Sequence, residues 1–121
     1  MSTITINSTI TTTMNITTTV RPLSEHSLRM SYKIGSIGCS YQYLVDVLGL
    51  PQDMDGDSKS QVNWYLGLTF KGNTYKISIY DWRQRKSFDK VKTWSIGGFN
   101  TDAVEAVKTI LPNAEVTPFY L

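Results

Sequence analysis

A single α+β domain, an antiparallel β-sheet with two α-helices, is what this 121-residue chain predicts. Three observations point there. Val62, Trp64, Leu66, Leu68 and Phe70 alternate with Asn63, Tyr65, Gly67 and Thr69, the period of a strand with one buried face. Ile77, Ile79 and Tyr75 resume the same alternation after Lys71-Gly72-Asn73-Thr74, a connection in which Gly and Asn can take positive φ, so the pair reads as a β-hairpin. Two other stretches, Tyr41–Leu48 and Asp102–Leu111, carry helical spacing with start and stop signals of their own.

From the N-terminus, residues 1–20 hold nine threonines, four isoleucines and no charge. Thr3-Ile4-Thr5-Ile6 has strand character because β-branched side chains suit an extended backbone, while the Thr11–Thr13 and Thr17–Thr19 blocks weaken it. The segment is an edge or intersubunit strand, covered by a neighbour if ordered, or a disordered tail. With the polar connector Pro22–Ser27 it makes up residues 1–27, ahead of an α+β ligand-binding domain at 28–121. Leu28, Met30, Tyr32 and Ile34 predict a strand over Leu28–Ile37, ended by a turn at Gly35–Gly38. In the first helix Ser40 is the N-cap, Tyr41, Leu44, Val45 and Leu48 form one apolar stripe, and Gly49 with Pro51 stops it. Asp53–Asp57 reads as an acidic turn; it lacks the glutamate that would complete an EF-hand loop.

The stretch Arg83–Lys92 is a basic loop, followed by a short strand at Thr93–Ile96 and a Gly97-Gly98 turn. Asn100 or Thr101 caps the second helix, with Val104, Val107 and Leu111 inward, Asp102 at the positive end of the dipole and Lys108 near the negative end. Pro112 ends it. Glu115–Leu121 is a last strand or a packed tail.

A net charge of +2 does not point to nucleic acid, and no apolar run is long enough to span a membrane. The N-terminus lacks the charged start and continuous apolar run of a secretory signal, so the expected location is the cytoplasm. Single residues of Cys (Cys39) and His (His26) leave no disulfide framework, no zinc site and no adjacent Cys–His pair. No catalytic residue, metal or cofactor is expected. Binding is better represented. Tyr80 and Trp82 leave a strand on the face opposite Ile77 and Ile79, where aromatic rings can stack a base. Arg83 and Arg85 follow at once, able to grip phosphate in a bidentate manner. The Gly97-Gly98 turn before Asn100 leaves backbone N–H groups for an anion, and Asn100 can cap and still reach a ligand.

The order Tyr41-x-x-Leu44-Val45-x-Val47-Leu48-Gly49-x-Pro51, Lys59-x-x-Val62-x-Trp64, Ile79-Tyr80-Asp81-Trp82-Arg83, Trp94-x-Ile96-Gly97-Gly98 and Ala103-Val104-Glu105-x-Val107 resembles small phage-encoded proteins of the first Thoeris anti-defence family. The likeness runs over about residues 28–112. It differs at Ser95, where the family tends to have histidine, and at Asn63, where an acidic residue commonly precedes the tryptophan. The resemblance implies a non-catalytic sponge, acting in the host cytoplasm, that holds a cyclic ADP-ribose isomer away from its effector. It also implies cyclic oligonucleotide binding at separate sites in some members, and a homo-oligomer, dimeric or higher, with pockets near subunit boundaries. Carried over, its ligand positions are Tyr80, Trp82 and Arg83 with Ile96, Gly97, Gly98 and Asn100. A protein-binding inhibitor of a host defence enzyme is the alternative, since Trp, Tyr and Arg also dominate protein interfaces; a signal-cleaving enzyme is the third.

Overall fold

The computed structural model describes residues 18–54, 62–82 and 87–119. Its centre is the expected hairpin, β3 (Asn63–Phe70) and β4 (Asn73–Tyr80), paired in unbroken register from Asn63↔Tyr80 to Phe70↔Asn73. Lys71 and Gly72 form a two-residue turn with φ of 50° and 80°. Two successive left-handed residues give the backbone the twist that the flanking strands share. Lys71, rather than Asn73, is the non-glycine residue at positive φ, and Asn73 already belongs to the strand.

Around this hairpin the sheet grows to six antiparallel strands in the order β1-β3-β4-β5-β2-β6. β1 (Thr19–Pro22) lines the outer edge of β3, so the end of the Thr-rich segment joins the sheet. Residues 1–17 lie outside the described residues, and with them both readings of Thr3–Ile6. β5 (Thr93–Gly98) pairs with β4 on one side and with β2 (Tyr32–Gly38) on the other. β6 (Glu115–Pro118) closes the far edge, which resolves the C-terminal alternative in favour of a strand.

Two helices cover one face, α1 (Tyr41–Leu48) and α2 (Ala103–Ile110), close to their expected bounds. Ser40 caps α1, its hydroxyl accepting from the Tyr43 N–H at 3.1 Å, and Gly49 ends the helix at φ 85°. The core beneath them is the inward set of β3 and β4 together with Ile37, Leu44, Trp94, Ile96, Val104, Val107 and Leu111, all essentially out of water. Trp64 and Trp94 meet edge to face at 5.7 Å, and Tyr41 packs on both, as well as on Phe88. Each indole N–H is satisfied by α1's flanks: Trp64 donates to the Gly49 carbonyl and Trp94 to the Cys39 carbonyl, both at 3.0 Å. A buried indole needs such an acceptor, and here the pair fixes both ends of one helix to the sheet.

Several expected elements are corrected. The strand at Leu28–Ile37 starts only at Tyr32, because Leu28 is buried in a 3₁₀ turn (Glu25–Leu28) and Met30 turns outward at φ 68°, 91% exposed. Gly35 and Gly38 are strand residues, not a turn. A bulge between Lys33 and Gly35 lets Ile34 and Ile37 both face the core, and a Cβ on Gly35 would sit 2.7 Å from the Thr117 carbonyl oxygen. Gly97 and Gly98 are likewise strand rather than turn: both are buried, and Gly97 pairs with Ser78 and Lys33.

Candidate ligand-binding surfaces

The register of the central strands decides what each end of β4 offers. Asn63, Tyr80, Ser95 and Ser36 are cross-strand partners in one row, and Tyr65, Ser78, Gly97 and Lys33 form the next. Both rows lie on the face away from the helices. Segment 23–31 folds over part of this face: Leu23 donates its N–H to the Tyr65 carbonyl, Leu28 is buried, and Ser31 Oγ approaches Gly97. The rest is a floor of small polar side chains beside Tyr80 and Trp82.

Tyr80 and Trp82 come together as expected, with ring centroids 6.1 Å apart at 82°. Tyr80 is half-buried, and that burial pushes its phenol above its ordinary value, so it remains a neutral hydroxyl at physiological pH. Trp82 is 44% exposed. Between them Asp81 is fully buried and accepts the Val62 N–H at 3.0 Å, which anchors the strand end that presents the two rings. Gly97 makes room for Tyr80: a Cβ there would lie 2.5 Å from Ser78 Oγ and 3.3 Å from Tyr80 Cε1. Arg83 and Arg85, expected to complete this end, lie outside the described residues.

Ile96 and Gly98 sit elsewhere. Ile96 is fully buried in the core, and a Cβ on Gly98 would meet Ile34 Cδ1 at 2.8 Å. The ladder occupies this stretch, and helix α2 starts five residues after Gly98. Asn100 does act at that helix start, its Oδ1 accepting the Asp102 N–H at 2.8 Å. It also lines an open groove of about 560 Å³ at the opposite end of β4 from Tyr80, with Asn73, Thr74, Tyr75 and Lys76 on one wall and Phe99, Asn100, Asp102 and Ala103 on the other. Sequence reasoning missed all of these but Asn100, because the groove arises where β5 leaves β4, a divergence that no local pattern encodes.

Among the described residues, neither reactive candidate gains a side-chain partner. His26 is exposed in the 3₁₀ turn. Burial pushes the Cys39 thiol from 9.0 up to about 11, so its place before α1 does not activate it. Among the described residues no cluster of His, Cys, Asp or Glu could hold a metal ion, and no helix is long and apolar enough to cross a membrane. No family model, curated protein or solved structure matches the chain.

Proposed function

We propose that this chain is a phage anti-defence protein that sequesters a cyclic nucleotide immune signal, a cyclic ADP-ribose isomer or a cyclic oligonucleotide, without cleaving it. It works as a homo-oligomer in the cytoplasm of the host. The observation that carries this reading is the Tyr80–Trp82 pair: two mutually perpendicular rings, one half exposed, on a strand end anchored by a buried carboxylate. A rigid aromatic platform stacks a base with little ordering cost, and Arg83 and Arg85 follow directly in the chain to meet phosphate. The ordered motifs shared with the Thoeris anti-defence proteins support the same reading.

Calorimetry against cyclic ADP-ribose isomers and cyclic di- and trinucleotides tests it, with the ligand recovered after heating and weighed by mass spectrometry. Tight binding and an unchanged ligand are expected. Trp82→Ala should weaken capture by at least about tenfold, the scale of one lost base–aromatic stack, with little change in melting temperature. Equal capture by wild type and Trp82→Ala removes this site; recovery of a cleaved ligand removes the sponge.

A protein-binding inhibitor is the second reading. It is favoured by Met30, Tyr32, Phe99 and Phe119, large apolar side chains left exposed near the ends of β2, β5 and β6. A stoichiometric host partner in a pull-down, with no heat from any nucleotide, would select it.

A further inference from the structure

The groove at the other end of β4 has a physical origin. β5 pairs with β4 only from Ser78 to Tyr80; after Gly98 the chain turns away to enter α2. The edge of β4 from Asn73 to Lys76 therefore faces an open space where a strand would otherwise lie. The two-residue turn makes Phe70 and Asn73 a hydrogen-bonded pair, so Asn73 and Tyr75 direct their N–H and C=O groups at β3. Thr74 and Lys76, in the alternate positions, direct theirs into the groove. The Lys76 carbonyl lies 3.3 Å from where a Cβ on Gly98 would be, as that orientation requires.

A strand edge offers an N–H donor beside a C=O acceptor, the complement of a nucleobase edge, which presents an acceptor beside an amino donor. The facing wall supplies the rest. Phe99, 43% exposed, is one of the residues that line the space, and its carbonyl accepts from the Tyr32 hydroxyl at 2.8 Å. Asn100 has its Oδ1 committed to the Asp102 N–H, which leaves its Nδ2 hydrogens to donate. The Asp102 carboxylate is exposed on the same wall and suits a pair of vicinal ribose hydroxyls, while Lys76, exposed on the β4 wall, offers a cation for a phosphate. A volume of about 560 Å³ is ample for one nucleotide.

We infer that this groove is a binding site for a nucleoside monophosphate, its base read by the open β4 edge and stacked on Phe99. The inference is independent of the Tyr80–Trp82 proposal, since the two places lie at opposite ends of one strand.

Amide NMR on the intact chain, titrated with adenosine 5′-monophosphate, tests it. Shifts should concentrate at Thr74, Lys76, Phe99 and Asn100. Phe99→Ala should weaken binding about tenfold or more, and Asp102→Asn should weaken the ribonucleotide more than its 2′,3′-dideoxy counterpart. Trp82→Ala should leave this titration unchanged while reducing capture of the cyclic signal, so each site can fail without the other. Shifts gathered at Tyr80 and Trp82 instead, no shifts at all, or equal binding of ribose 5-phosphate without a base would each overturn the assignment. Should Phe99→Ala lower the melting temperature, Phe99→Leu supplies the same loss of the ring at nearly constant bulk.

Discussion

On the helix-covered face of the sheet, Trp64 and Trp94 are fully buried and fasten α1 at Gly49 and Cys39 through their indole N–H groups. On the opposite face the corresponding row is Asn63, Tyr80, Ser95 and Ser36, small or polar side chains with one ring half open to water. The same four strands build both faces, and the period-two alternation keeps them apart. The first face is committed to stability, since large volume and hydrogen-bonded polar tips leave nothing over for a ligand. The second holds its rings on a stiff sheet without using them to close the core, which is what a recognition surface needs.

The sharpest break of this contrast comes from the helix side. Trp64→Ala removes a fully buried indole together with its bond to Gly49 and its contacts with Tyr41 and Trp94. A loss of about 3–5 kcal/mol is expected in urea unfolding, whereas Trp82→Ala on the other face should stay within about 0.5 kcal/mol, the usual range for an exposed position. Comparable losses from the two would mean that Trp82 is a structural residue.

Gly97→Ala probes the far face where it is tightest. The new Cβ would fall 2.5 Å from Ser78 Oγ, a contact that real side chains avoid, so something must shift at a cost of about 1–3 kcal/mol. The obstacle is a side-chain atom rather than backbone, so Ser78→Ala in the same molecule should recover a large part of the loss, a coupling that a double-mutant cycle reads directly. If the two changes simply add, the strain lies against Tyr80 Cε1 at 3.3 Å instead, and the aromatic pair moves with it.

How far these faces could be read in advance differs from element to element. The β3–β4 hairpin was legible because the inward positions from Val62 to Phe70, and Tyr75, Ile77 and Ile79 on β4, carry large apolar or aromatic side chains in strict alternation. α1 was legible from Ser40, Gly49 and the stripe between them. The start of β2 was not, since Met30 continues an apolar alternation that its positive φ breaks, and the bulge at Lys33–Gly35 then lets Ile34 and Ile37 face the same side. Gly97-Gly98 resembles a turn by composition, yet it is a crowded strand whose neighbours leave no room for a Cβ. Tyr80 and Trp82 were legible as neighbours because they lie at the end of an unmistakable strand. Phe99, Tyr75 and Lys76 were not, because the groove is set by where two strands part, and that depends on the tertiary course of the chain.

The smaller tests lie at the junction of sheet and helix. Ser40→Ala deletes the hydroxyl that accepts the Tyr43 N–H and should cost about 1 kcal/mol, less than any change at the tryptophans, because α1 remains fastened at both ends by the indoles. Cys39, one residue earlier, carries an effect that shows only at alkaline pH. Its thiol titrates at about 11 in the folded chain against 9.0 when unperturbed, so its contribution to stability is complete below pH 9.0. As the pH rises from 9.0 toward 11 the unfolded thiol ionises first, and folding loses that contribution. Chemical unfolding at pH 8 and pH 10.5, with Cys39→Ser as the reference, should show the decline in the wild type and less of it in the variant. Alkylation by iodoacetamide at pH 8 should be slow in the folded chain and should speed up when α1 is loosened by Trp94→Phe, which keeps the ring but gives up the bond to the Cys39 carbonyl. Fast alkylation of the intact wild type would mean that this end of α1 opens readily, and that the helix-covered face is less firmly closed than its two indole bonds imply.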